Sequence, residues 1–134
     1  MRVETYLWQI QKYDRMIEQK RERLDALRQQ AYGTAVQLVP DKVQKTGSHD
    51  RMGDIATEIC VQEQALNQFV KRRERIIRQI DGITDLRCFT VLSYRYISNK
   101  TNKEIAYEMK ITTRQVGRIF KKAHEMFAEK YGMS

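Results

Sequence analysis

Cysteine is scarce in this chain. Only Cys60 and Cys88 occur, far apart and without CxxC spacing, which leaves no disulfide framework and no cysteine-based zinc site. Both are expected to behave as small apolar residues in a reducing compartment. Proline is rarer still, with Pro40 alone, and the six glycines fall mostly where helices should stop. No uninterrupted apolar run approaches membrane length, and charged residues alternate with apolar ones from Arg2 onward. A soluble, cytoplasmic protein without a signal peptide or membrane partner is therefore expected. The two histidines, His49 and His124, stand isolated in sequence. No nucleophile–base–orienter set, glycine-rich phosphate loop or metal-ligand spacing accompanies them, so a non-enzyme with no cofactor and no metal is expected.

What the chain has in excess is positive charge: 25 lysines and arginines against 17 acids in 134 residues, a formal +8. An acidic partner follows, and nucleic acid is the commonest one. The excess is uneven. Residues 85–134 hold ten basic and five acidic side chains, as a nucleic-acid footprint confined to one module requires.

From Val3 to Ala31 apolar residues recur at 3–4 spacing (Val3, Tyr6, Ile10, Tyr13, Ile17, Leu24, Leu27, Ala31), with Lys20 the one polar exception. The seam breaks over residues 32–49, where Gly33, Pro40, Gly47 and Ser48 punctuate the chain. It resumes at Met52, Ile55, Ile59, Leu66, Phe69, Ile76, Ile80 and Ile83, with Gln62 and Arg73 as exceptions. Ser48 or Asp50 is a candidate cap for this second helix, and Gly82 marks its end. The pattern predicts a long antiparallel hairpin with coiled-coil-like packing. With Ala31 level with Met52, facing positions sum to about 83, since both helices rise ~1.5 Å per residue. Lys20 then meets Gln62 and Glu63. Tyr6, Leu7, Cys60 and Val70 widen the apolar stripe, so a homodimer or higher homo-oligomer is expected. Trp8 and the tyrosines, at helical spacing, are expected in the core.

After Gly82 the elements shorten. Asp85 is predicted to start a helix with Leu86, Phe89, Leu92 and Tyr96 on one face, ended by a turn at Ser98-Asn99-Lys100. Thr101-Asn102-Lys103-Glu104 reads as a capping box, and Thr112-Thr113-Arg114-Gln115 as a second one eleven residues on. A short helix, a tight turn near Lys110 and Ile111 and a longer helix follow: a helix-turn-helix. Ala106 suits the close helix crossing, and Ile111, Val116 and Ile119 suit the wedge between helices. The fold expected is thus all-α, with a helical hairpin over residues 1–83 and a helix-turn-helix module over 84–134.

The face that packing leaves unused carries the functional expectation. Thr113, Arg114, Gln115 and Arg118 stand where the N-terminal part of a recognition helix reaches base edges. Arginine donates bidentately to guanine and glutamine to adenine, and threonine suits a thymine methyl group. Lys121 and Lys122, a turn further on, and Lys100 and Lys103, near the start of the first motif helix, suit backbone phosphate.

The run from Leu92 to Phe127 (Leu-Ser-Tyr-Arg-Tyr-Ile, Asn-Lys-Glu-Ile-Ala, Thr-Arg-Gln-Val-Gly-Arg-Ile) resembles region 4 of sigma-70-type factors. With Tyr6–Asp14, the Val43-Gln44 loop and Asp50-Arg51-Met52, the whole resembles small phage and prophage proteins with a sigma-like C-terminal module. These are loosely related to the ArpU and RinA types of late-gene transcriptional regulators. The resemblance implies control of phage or mobile-element transcription, with base reading by Thr113, Arg114, Gln115 and Arg118 on double-stranded DNA and RNA polymerase a candidate partner. Lys110 stands where that motif often has glycine, because the position takes positive φ; lysine there costs about 1 kcal/mol. Two other readings compete. A DNA-packaging factor akin to a small terminase subunit would form rings, and a coiled-coil adaptor would show no salt-dependent DNA binding.

Overall fold

A computed structural model describes the backbone of residues 1–37 and 46–133 and the side chains of residues 1–33 and 51–133. Every regular element among the described residues is helical. Helix α1 spans Val3–Gln37 and α2 spans Thr46–Asp81, forming the expected long pair. Helix α3 (Leu86–Leu92) runs into a single π turn at Ser93–Ile97. Helices α4 (Asn102–Met109) and α5 (Thr113–Tyr131) follow. No described helix is long and apolar enough to cross a membrane.

The long helices outrun their expected ends. Gly33 lies within α1, which continues to Gln37; one glycine weakens a helix by about 1 kcal/mol and does not stop it. Helix α2 starts at Thr46, upstream of both Ser48 and Asp50, so neither residue is its N-cap. Leu38, Val39, Pro40 and the Val43-Gln44 loop lie outside the described residues.

Contacts gather the chain into two compact units, Arg15–Lys71 and Met1–Asp14 with Arg72–Ser134. In the first, Ile17, Leu24, Leu27 and Ile55 are buried. Lys20 Nζ donates to Gln62 Oε1 at 2.8 Å, and Gln62 Nε2 donates to Glu58 Oε1 at 2.8 Å. The polar exception of one seam therefore meets that of the other, in the expected register. Arg23 and Glu58 approach to 3.9 Å while both remain well exposed, a pair worth only ~0–1 kcal/mol. Cys60 does not widen the apolar stripe: it is exposed, beside half-exposed Val61.

The second unit holds the larger core. Leu7 and Ile10 of α1, Ile76 and Ile80 of α2, Ile83, Cys88, Leu92, Tyr96, Ala123 and Phe127 are all buried in one cluster. A sequence cut after residue 83 separates side chains that share this cluster, because the base of the hairpin lends its apolar stripe to α3 and α5. Each buried leucine or isoleucine contributes roughly 1.5–3 kcal/mol relative to exposure. Polar fastenings surround the core: Asp14 accepts from Arg73 Nε, Tyr6 donates to Gln79 Oε1, and Tyr131 donates to the Gln79 carbonyl at 2.7 Å. Gly82 makes the last possible, since a Cβ there would collide with the Tyr131 hydroxyl.

Asp85 caps α3 as expected, accepting from the Cys88 amide at 3.1 Å. That amide, and secondarily Lys122, hold its carboxyl below the ordinary value. Leu86 departs from the expected buried face: it is 75% exposed, and Cys88 and Val91 take the inward positions. Trp8 is likewise not core. It is 37% exposed and meets Tyr96 edge-on, with ring centroids 4.9 Å apart.

Candidate nucleic-acid interface

Both predicted capping boxes form. Thr101 Oγ1 accepts from the Glu104 amide while Glu104 Oε1 accepts from the Thr101 amide. The Thr101 backbone amide is the main reason the Glu104 carboxyl sits below its ordinary value. At the start of α5, Thr112 Oγ1 accepts from the Gln115 amide at 3.1 Å, and Gln115 Oε1 accepts from the Thr112 amide at 2.9 Å. Between the boxes Lys110 adopts φ 58°, ψ 45°, and the Ile111 amide donates back to the Ala106 carbonyl at 3.0 Å. The turn thus has the left-handed geometry that favours glycine, with lysine occupying it. Asn99, at φ 59°, does the same in the turn before α4, at lower cost because its short amide tolerates that region.

A compact cluster of Val91, Ile105, Ala106 and Val116 fixes α4 against α5. Ala106 is 6% exposed and Val116 fully buried, so the close crossing and the wedge read from sequence are both present. Ile111, Ile119 and Met109 pack around them partly buried.

With Val116, Ala123 and Phe127 turned inward, α5 presents Thr113, Arg114, Gln115 and Arg118 to solvent. Arg114, Arg118 and Lys121 stand at i, i+4 and i+7, on one face. Among the described residues no carboxylate pairs with these three or with Lys103. The four expected phosphate lysines therefore divide. Lys103 and Lys121 are unengaged. Lys100 pairs with Glu108 at 3.2 Å above the Tyr94 ring, and Lys122 pairs with Asp85 at 3.3 Å. Gln115 is exposed, but its side-chain oxygen is held by the capping box, which leaves its amide nitrogen as the donor still available.

A second set of residues had no signature in the sequence. The π turn, closed by Ser98 N donating to the Ser93 carbonyl at 3.1 Å, buries Tyr96 and carries Arg95 beside it. The Arg95 guanidinium lies over Trp8 at 5.3 Å and Phe120 at 5.9 Å, and donates to the Lys100 carbonyl at 3.3 Å. Trp8, Arg95, Asn102, Gly117, Phe120 and Lys121 are among the residues lining a cavity of about 520 Å³. Gly117 sits in the interior of α5, where glycine costs about 1 kcal/mol relative to alanine, yet a Cβ there would meet nothing within 4 Å.

His124, isolated in sequence, is not isolated in space. Its Nε2 lies 2.8 Å from the Tyr96 hydroxyl and its Nδ1 3.9 Å from Glu4. Burial pushes its pKa below the ordinary value, Glu4 opposing only in part, and burial pushes Tyr96 far up. A neutral imidazole accepting from Tyr96 through Nε2 fits both shifts. Among the described residues no group of three or more metal-ligating side chains forms.

Residues 34–127 match a family described as a protein of unknown function, DUF1492. The chain belongs to the DUF1492 family. It is a phage-associated family, and the match covers the C-terminal end of α1, all of α2, α3 and α4, and α5 as far as Phe127. Comparison with curated proteins and with solved structures gave no match.

Proposed function

We propose that this DUF1492 member is a sequence-specific double-stranded-DNA-binding regulator of phage or mobile-element transcription, with α5 entering the major groove. One observation carries the reading: Arg114, Arg118 and Lys121 form a cationic face on the longer helix of a helix-turn-helix, unpaired with any carboxylate among the described residues. Three cations on one helix face with no carboxylate to neutralise them set up a positive potential that favours an anionic ligand. The doubly capped, left-handed turn supports the same reading, since it holds α5 rigidly while leaving its first two turns clear. Thr113, Arg114, Gln115 and Arg118 are the base readers, Lys103 and Lys121 the backbone contacts. Lys100 and Lys122 reach phosphate only by leaving Glu108 and Asp85. A homodimer would place two such helices on half-sites about one helical turn, ~34 Å, apart, and RNA polymerase is the further partner that transcriptional control implies.

Selection of bound duplexes from a random pool identifies the site. Arg114→Ala and Arg118→Ala should then each weaken binding by about 1–3 kcal/mol and relax preference at particular base pairs. Unchanged affinity and preference in both variants would overturn the recognition-helix assignment. Salt-independent binding would overturn the DNA reading altogether.

A further inference from the structure

The cavity beside α5 has features that the recognition face does not explain. Gly117, Lys121 and Glu125 line it at successive turns of α5, so it runs along that helix from a cationic end to an acidic one. At the cationic end, Arg95 lies over both the Trp8 and the Phe120 rings with one donor spent on the Lys100 carbonyl. Its remaining N–H groups have no carboxylate among the described residues. Asn102, the first residue of α4, and Lys121 share that end. At the other end Glu4 faces His124, and His124 is held by Tyr96. The opening adjoins the Arg114–Lys121 face, since Gly117 is one turn from both residues.

We infer that this cationic end seats one backbone phosphate of the duplex, bound by Arg95, Asn102 and Lys121, and that Gly117 is glycine so that the sugar–phosphate chain can lie against the bare helix. The inference rests on the proposed function and adds a contact that the recognition face alone does not require. A guanidinium oriented in advance by two aromatic faces loses little freedom on binding phosphate. Gly33 and Gly53 also meet nothing within 4 Å, and neither lines this cavity.

Gly117→Ala is the cleanest test, because the added methyl disturbs no neighbour and improves helix propensity. The full-length protein carrying it should melt no lower than wild type and bind the selected duplex on the order of tenfold more weakly, the loss of one charge-assisted contact. Arg95→Gln should lower the slope of log affinity against log salt by about one, with Arg95→Lys restoring part of it. Wild-type affinity and salt slope in both Gly117→Ala and Arg95→Gln, with tight salt-dependent binding by wild type, would overturn this site and leave the proposed function standing. Absence of duplex binding by wild type would overturn both. Inorganic phosphate provides the remaining arm. If millimolar phosphate at constant ionic strength raises the melting temperature of wild type but not of Arg95→Gln, the cavity is a free-anion site and the backbone assignment is wrong.

Discussion

Lys110→Gly isolates the energetic cost of the motif turn. Lys110 sits at φ 58°, ψ 45°, where an L-residue with a Cβ crowds its carbonyl by about 1–2 kcal/mol. Glycine removes that strain but brings a more mobile unfolded chain, which costs back roughly 0.4–1 kcal/mol. The net expectation is stabilisation of about 0.5–1 kcal/mol. Spread over an unfolding entropy of ~2.1 cal/mol/K per residue, this corresponds to a rise in melting temperature of roughly 2–4 °C. The Lys110 side chain is exposed and has no ion pair among the described residues, so its loss subtracts little. Lys110→Ala is the control: it removes the same charge and keeps the Cβ, and should leave the melting temperature within about 1 °C of wild type. Thermal unfolding followed by circular dichroism reads both variants. If glycine stabilises no more than alanine, the turn is not strained and the account of its left-handed geometry fails.

The remaining predictions use groups outside the turn. The pKa of His124 is lower in the folded chain than in the unfolded one, so below about pH 6.5 the unfolded state binds the extra proton and stability falls as pH falls; above it the contribution is complete. His124→Gln should flatten that part of the stability profile, and a profile identical to wild type would remove His124 as its cause. Cys60 is exposed, whereas Cys88 is buried with its thiol pushed up by burial, so a thiol reagent should modify one cysteine in the native protein and two after denaturation. Two fast-reacting thiols under native conditions would contradict the packing of α3.

The local chemistry of the C-terminal helices was legible in the sequence because each signal there is short-range. A threonine three residues before a glutamate or glutamine specifies its own hydrogen bonds, and both capping boxes formed as read. The Lys20–Gln62 meeting was legible for a different reason: two polar interruptions in otherwise apolar seams must face either water or one another. The rest required contacts distant in sequence. Nothing near Gly33 says that α1 passes through it, since neighbouring turns supply the hydrogen bonds that glycine weakens. Leu86 and Trp8 are apolar residues at plausible helical spacing, yet the first falls on the solvent side of a short helix and the second on the edge of Tyr96. Arg95 is the clearest case. Sequence shows an arginine between two tyrosines, and only folding brings Trp8 from the first helix and Phe120 from the last within 6 Å of its guanidinium.

Gln115 joins the two kinds of signal and is where they can be separated. Its oxygen closes the capping box on Thr112, while the proposed reading of adenine needs both its oxygen and its amide nitrogen. One side chain cannot give the same oxygen fully to both. Either the box loosens on binding, or Gln115 contributes its N–H alone and reads an acceptor. Gln115→Glu keeps the capping oxygen and removes the donor, so it should hold the melting temperature within about 1 °C of wild type while weakening duplex binding. Gln115→Ala loses the cap contact as well and should be destabilised by roughly 0.5–1 kcal/mol. Loss of stability without loss of affinity in Gln115→Ala, together with wild-type binding in Gln115→Glu, would make Gln115 a cap and nothing more. Base reading would then fall to Thr113, Arg114 and Arg118.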